Sequence, residues 1–481
     1  MLEVIGSRHY AVDAQRAWET LSNWGDVRWI AVAVGVDLEQ TDEGLCRRYH
    51  VIGTPPLDEI LLLADAQHMS LRYRIPPVPV MPLEDFVGEI HVQETSKGGC
   101  RVDWRCSFNA GELSEEKALA KANGNLDYLL DCLGNHLEKL RVVQWASGNV
   151  GASSLRAVID HPALQLVGLH AHSEAKEGCD AGVLCGMAPT GVLATRDLES
   201  VIALRPDCVL YMPEGYDADA LCRMLEAGIN VVTTRGEFFN PVRMNRELRE
   251  RIEAACQSGG SSLYATGVSP GFITEALPLA LATVARRLDC ITIDEYAYIP
   301  ESCSTQMILE VMGYGREPTA EFDPHLLAHM AQCFEQSLGT VSDALGIPIE
   351  SVVASGETAV ARKRTNLPQG GAIEPGTVAA QRITVAARLG NRDVLRFRAN
   401  WYCSTEIDRD WALEKDGWRV LVEGDAPLDV RIGFPRSGQP IAEQMAGYTA
   451  HRAVNAVSAV CAAAPGICTI LDLPRVAPRL G

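Results

Sequence analysis

LRVVQWASGNVGASSLRAVIDHP, residues 140–162, decides the fold. Leu140–Trp145 is an apolar run of strand length, Ser147-Gly148-Asn149-Val150-Gly151 is a turn, and ASSLRAVIDHP has its apolar residues at helical spacing before Pro162 stops it. A strand, a glycine turn and a helix in that order bring backbone N–H groups and the positive end of a helix to one point. Such a point suits a pyrophosphate. Ala146 stands where the first glycine of G-x-G-x-x-G would fall, so the turn needs support from its context.

The next ninety or so residues supply that context, because they alternate strand and helix as a parallel sheet requires. LQLVGLHAH reads as a strand, LESVIALRP as a helix, DCVLYMP as a strand, DADALCRMLEAG as a helix ending at Gly228, and NVVTT as a further strand. Together they predict a doubly wound Rossmann domain that binds NAD(P) through Ser147, Gly148, Asn149, Val150 and Gly151. The cofactor type depends on the tip of the second strand, His170-Ala171-His172-Ser173-Glu174-Ala175-Lys176. His172, Ser173 and Lys176 suit the 2′-phosphate of NADP, while Glu174 leaves NAD open. Tyr211 and Met212 end the fourth strand, where they either flank the dinucleotide or belong to the core.

Working toward the N-terminus, residues 1–139 open with a strand and then AQRAWETLSNWGDVRW, in which Ala14, Ala17, Trp18 and Leu21 recur at helical spacing behind Asp13 as N-cap. Alternating runs follow, giving an antiparallel sheet of about six strands. The segment closes on a long amphipathic helix with Leu126, Leu129, Leu130, Leu133 and Leu137 on one stripe. This order resembles the START-like helix-grip fold of the polyketide cyclase and dehydrase type. The resemblance implies an α+β domain holding an apolar ligand between sheet and helix.

Working toward the C-terminus, three segments resemble the superfamily of dihydrodipicolinate reductase, 2,4-diaminopentanoate dehydrogenase and native amine dehydrogenases: NVVTTRGEFFNP at 230–241, ATGVSPGF at 265–272, and GYTAHRAVNAVSAVCAAAPGICTILDLP at 447–474. The resemblance implies a Rossmann domain at 140–275, an α+β substrate and oligomerisation domain at 276–440, and a terminal helix and tail at 441–481 that return to the Rossmann domain. It implies a homodimer, and Glu237 as the catalytic group, positioning or protonating a carbonyl, carbinolamine or imine in a dry pocket beside Phe238 and Phe239. Glu237 equally suits a cap on the next helix or a partner for Arg235. Thr266 and Ser269 either hold the nicotinamide or serve the turn. Asp294, Glu295, Tyr296, Trp401 and Tyr402 are candidates to face the substrate, although alternating polar residues also mark a solvated sheet face.

Two departures matter. Gly236 precedes Glu237 where two adjacent glutamates are usual, and Ser269 replaces an asparagine. The segment CITIDEYAYIPESCSTQMILEVMGYG also lacks the paired histidine, lysine and SGT stretch of tetrahydrodipicolinate reduction, so that reaction is set aside.

With 47% hydrophobic and 22% charged residues the chain has the balance of a globular protein, and its net charge of -19 disfavours nucleic acid and anionic membranes as partners. The N-terminus lacks the layout of a signal peptide, which predicts a cytoplasmic protein. The fifteen cysteines form no CxxC pair, so neither a disulfide frame nor a zinc site is expected. His325 and His329 stand one turn apart without a metalloprotease glutamate between them, and no metal is assigned. The reading is an NAD(P)-dependent oxidoreductase acting on a small hydrophobic carbonyl or amine in the manner of an amine dehydrogenase. The alternatives are a ketone/alcohol reductase that does not use ammonia, and a non-catalytic NADP(H) and ligand sensor.

Overall fold

The computed structural model describes residues 1–478 apart from 52, 77–81, 97, 320, 369, 415, 436, 437 and 439. The chain divides into two compact units, Met1–Leu140 and Arg141–Gly481. In the first, β1 (Leu2–Tyr10) leads through α1 (Ala14–Ser22) into β2 (Ala33–Thr41), β3 (Gly44–Val51), β4 (Leu57–Asp65), β5 (Ser70–Ile75), β6 (Glu84–Glu94), β7 (Cys100–Asn109) and α2 (Glu115–Leu137). Asp13 starts α1 by accepting the Arg16 N–H at 2.8 Å. The antiparallel sheet runs β1-β7-β6-β5-β4-β3-β2, so the first strand closes the meander.

Leu126, Leu130, Leu133 and Leu137 turn one face of α2 onto this sheet. Gly6 lets the helix come close, since a Cβ there would lie 2.7 Å from Leu130. A cavity of about 190 Å³ remains, with Tyr49, Tyr73, Phe86, Trp104 and Leu126 on its walls and Glu59 as its charged group. The sheet has seven strands, one more than the sequence suggests. ILLLADAQHMSLRYRI reads as one run, yet it turns back after β4, where Asp65 accepts the N–H groups of Gln67 and His68 at 3.0 and 3.2 Å. Neither glycine nor proline marks that turn.

The second unit begins with β8 (Leu140–Trp145), α3 (Asn149–Ile159), β9 (Leu164–His170), α4 (Ala181–Leu184), β10 (Ala194–Thr195), α5 (Leu198–Ala203), β11 (Cys208–Tyr211), α6 (Ala218–Glu226), β12 (Asn230–Thr233), α7 (Arg246–Gly259) and β13 (Ser262–Ala265). It continues with α8 (Leu277–Ala282), β14 (Leu288–Tyr298), α9 (Pro324–Leu345), β15 (Ser351–Val360), a small hairpin of β16 (Thr365–Asn366) and β17 (Ala372–Ile373), then β18 (Val378–Leu389), β19 (Arg392–Tyr402), β20 (Gly417–Gly424), β21 (Leu428–Gly433), α10 (Ile441–Cys461) and β22 (Gly466–Cys468).

The first sheet of this unit is parallel throughout, in the order β10-β9-β8-β11-β12-β13-β22. Strand order reverses beside β8, the point where ligands bind in open α/β sheets. The tail re-enters the sheet as β22, pairing Ser262 with Gly466. The second sheet runs β15-β18-β19-β14-β20-β21. One face carries α9, whose Phe334 stacks on Phe397 with ring centroids 3.7 Å apart.

Candidate functional site

Every strand of the parallel sheet ends at the same edge, and the glycine turn lies there. Ala146 leaves β8 with φ +75, in the left-handed region that favours glycine. Gly151 is required by close approach, because a Cβ there would collide with the carbonyl oxygen of Ala146. Gly148 opens the helix, its Cβ position faces open space, and no side chain caps the N-terminus of α3. The first N–H groups of an eleven-residue helix therefore have no side-chain acceptor, and Asn149 and Gly148 are exposed beside the half-buried Ser147 and Val150. The chemistry of this cradle, free helix N–H groups beside a lysine, suits a pyrophosphate.

Lys176 reaches across to the same turn, donating to the carbonyl and the hydroxyl of Ser147 at 3.0 Å each. His172 and Ser173 are exposed at the tip of β9. His170, by contrast, stacks on Trp145 at 3.5 Å and is held neutral, burial having lowered its pKa to about 4. Tyr211 is a core residue whose hydroxyl accepts the Asp217 N–H at 2.9 Å, and Met212 is also buried.

Two turns follow on the far side of β8. After β12, Arg235 grips Glu237 with two hydrogen bonds, Nε to Oε2 at 3.1 Å and Nη2 to Oε1 at 2.5 Å. Arg235 also donates to the Glu214 carbonyl, and Gln336 of α9 donates to the Glu237 carbonyl at 3.0 Å. Phe238 and Phe239 are buried, but the Glu237 side chain keeps 25% exposure, so an ion pair stands where a dry pocket was expected. A carboxylate held this way is fixed in orientation by its guanidinium partner and keeps lone pairs that can accept a further hydrogen bond.

After β13, Thr266 is buried with its N–H on the Thr233 carbonyl at 2.9 Å, and the chain turns through the cis Ser269–Pro270 peptide and Gly271 at φ +124. The Ser269 hydroxyl is buried with no partner among the described residues. Beneath this turn lies Glu275, a residue the sequence reading passed over inside an apolar run. It is 2% exposed, burial pushes its carboxyl up to about 8 against the pull of Ser337 and Arg452, and its Oε1 has no hydrogen-bond partner.

The candidates in the second sheet separate by face. Asp294 is buried and neutralised by Arg398, with contacts of 2.5 and 2.7 Å, and Tyr296 is buried in the outer cluster. Tyr402 donates to the Glu414 carbonyl at 2.5 Å. Glu295 and Trp401 turn to the face that carries α9, where Trp401 forms a wall of a cavity of about 530 Å³ together with Met312, Phe322, Leu326, His329 and Gln381. His329 lies 3.6 Å from Cys333, whose backbone in turn approaches Gly236. This cavity therefore neighbours the turn that carries Glu237.

Residues 1–138 match the family described as polyketide cyclase / dehydrase and lipid transport, and residues 273–480 match the 2,4-diaminopentanoate dehydrogenase C-terminal domain. An amine dehydrogenase of Streptomyces virginiae is 27% identical over 355 residues, 71% of this chain and 98% of the relative. A 2,4-diaminopentanoate dehydrogenase of Acetoanaerobium sticklandii is 21% identical over 366 residues, 70% of this chain and 94% of the relative. Among solved structures, the amine dehydrogenase from Mycobacterium smegmatis superposes with a TM-score of 0.55 at 21% identity, over 72% of this chain and 99% of that one, which is a likeness of fold.

Proposed function

We propose, for a chain that carries a polyketide-cyclase-type domain at 1–138 and a 2,4-diaminopentanoate dehydrogenase C-terminal domain at 273–480, that residues 141–481 interconvert an amine with its carbonyl compound, using NADP as the hydride carrier. That the chain is an oxidoreductase with a nicotinamide cofactor follows from its relatives. The observation that carries the finer reading is the set of strand ends itself: an uncapped helix over a glycine cradle, and the turns of Glu237 and Ser269 on one edge of one sheet.

A bound nicotinamide would supply the hydride acceptor or donor for the carbon that bears the nitrogen. The N–H groups of residues 149–151 would hold the pyrophosphate, and Lys176 with Ser173 would take the 2′-phosphate. The orphaned Ser269 hydroxyl and the backbone at Gly267 and Gly271 would offer polar contacts to the nicotinamide. Glu237, fixed by Arg235, accepts a hydrogen bond from ammonia or from the protonated imine and stabilises its positive charge. The front domain's aromatic cavity holds an apolar ligand, which suits a fairly hydrophobic substrate or product.

The test is a titration with NADPH and NADH by fluorescence, followed by a panel of hydrophobic aldehydes and ketones with and without ammonium. Oxidation of NADPH that depends on ammonium is the expected result. Turnover without ammonium would make the protein a ketone reductase, and tight binding without turnover would make it a sensor.

A further inference from the structure

Asp294 and Glu295 are adjacent in β14, yet the structure treats the two carboxylates differently. Asp294 faces one side of the sheet and meets a guanidinium. Glu295 faces the other, where Trp401 Nε1 donates to Oε1 at 3.4 Å and Trp418 Nε1 to Oε2 at 3.3 Å. The register explains the grip: Trp418 of β20 lies directly opposite Glu295, and Trp401 of β19 is paired two residues further along β14, with Ala297. Both bonds are long and both donors are neutral. Among the described residues no arginine, lysine or histidine pairs with Glu295. A half-buried carboxylate whose partners carry no charge is left to attract a cation.

The surroundings connect this carboxylate to the reaction site. Phe434 meets the Trp418 ring edge-on at 4.4 Å, and Tyr448 of α10 lies 5.7 Å from Phe434. Thr449, next along α10, lies against the turn at Gly267, where a Cβ would stand 3.4 Å from its methyl group. On the other side, Trp401 is the cavity wall that faces His329. The carboxylate is thus held by two indoles, one of which, Trp401, is also a wall of the cavity under α9, and the other of which, Trp418, packs on Phe434.

We propose that Glu295, oriented by Trp401 and Trp418, is the subsite for a positively charged nitrogen of the substrate, so that this site selects protonated amines on an apolar skeleton over their neutral counterparts. The inference rests on the dehydrogenase reading for its chemistry, but the subsite is tested by binding alone. A hydrogen bond to a charged group is worth roughly 1.5 to 3 kcal/mol, which corresponds to roughly a 10- to 100-fold preference for the cation.

The full-length protein, loaded with NADP, is titrated calorimetrically with cyclohexylammonium chloride and with cyclohexanol, its neutral counterpart. The intact protein binds the ammonium at least tenfold more tightly. Glu295→Gln, which keeps an acceptor for one indole N–H, removes that preference and leaves cyclohexanol unaffected. Trp401→Phe and Trp418→Phe, which withdraw the orienting donors and leave the charge, lower the preference without abolishing it, and they stand as the test if the glutamine variant does not fold: an unchanged preference in both would overturn the proposal. Equal binding of the two probes by the intact protein would overturn the proposal, as would equal weakening of both in Glu295→Gln. If no substrate turns over while the preference persists, the dehydrogenase reading falls and the subsite stands.

Discussion

Glu275 is the residue whose chemistry the structure changes most. Its carboxyl is raised from 4.5 to about 8 by burial, so folding favours the protonated form. The sign follows from linkage: stability is highest below the unfolded-state value, falls as pH rises from about 4.5 to 8, and levels off above that. Each pKa unit is worth ~1.4 kcal/mol, so the loss amounts to several kcal/mol. Glu275→Gln, which mimics the neutral acid, is expected to flatten the pH dependence of Tm and to melt higher than the original at pH 9; an unchanged slope would show that Glu275 is not the group responsible. Glu237 gives the opposite case. Its bidentate pair with Arg235 is only a quarter exposed, so Glu237→Gln should lower Tm, the loss being on the order of 1 to 3 kcal/mol for a guanidinium left without its charged partner. Removing its charge should also lower kcat at least ~100-fold with NADPH affinity retained, as expected for a group acting on the reacting atoms. Glu237 could be picked out in sequence because a strand and a turn delivered it to the sheet edge. Glu275 could not, since a carboxylate inside VSPGFITEALPLALA looks like a helix residue facing solvent.

At the scale of elements, legibility followed the strength of local signals. The unit around β8 and α3 was readable because buried strands, helical spacing and glycine turns alternate there without interruption. The turn between β4 and β5 was hidden because Asp65 makes it by side-chain hydrogen bonds in place of a glycine. β15 gives a weak strand signal because SVVASGETAV is rich in small residues, and Gly356 within it makes room for the ring of Phe322. The cradle itself yields a paired prediction. Gly151→Ala sets a methyl group against the Ala146 carbonyl, which should cost ~1–3 kcal/mol in stability and weaken NADPH binding as the turn shifts. Ala146→Gly acts in the other direction, since a left-handed alanine costs ~1–2 kcal/mol and the added chain entropy offsets only ~0.5–1 of it. Thermal melts and NADPH titrations of the two variants should therefore move Tm in opposite senses at positions five residues apart in one turn. A rise for both would show that the turn relaxes away from the Ala146 carbonyl.

At the scale of the whole molecule, each unit has an apolar core of its own among the described residues. One cluster runs from Val4 to Leu137, and the others begin at Val143. A unit with its own core folds without its neighbour when the cut falls outside that core. The Streptomyces virginiae relative points the same way, since 98% of it aligns with only 71% of this chain, and the front domain is matched by a separate family. The cradle, both turns and Glu295 all lie beyond residue 140. Residues 141–481, produced alone, are therefore expected to bind NADPH as the full chain does and to keep its kcat on small, freely soluble substrates. Residues 1–140 are expected to retain an apolar fluorescent probe in the cavity bounded by Tyr73 and Trp104. Substrate size then distinguishes a front domain that captures substrate from one that is only fused to the enzyme. If the separated unit loses rate only on large, poorly soluble carbonyls, and Trp104→Ala in the full chain reproduces that loss, the first unit supplies substrate to the second. If the rates on all carbonyls match, the front domain binds its ligand for a purpose of its own.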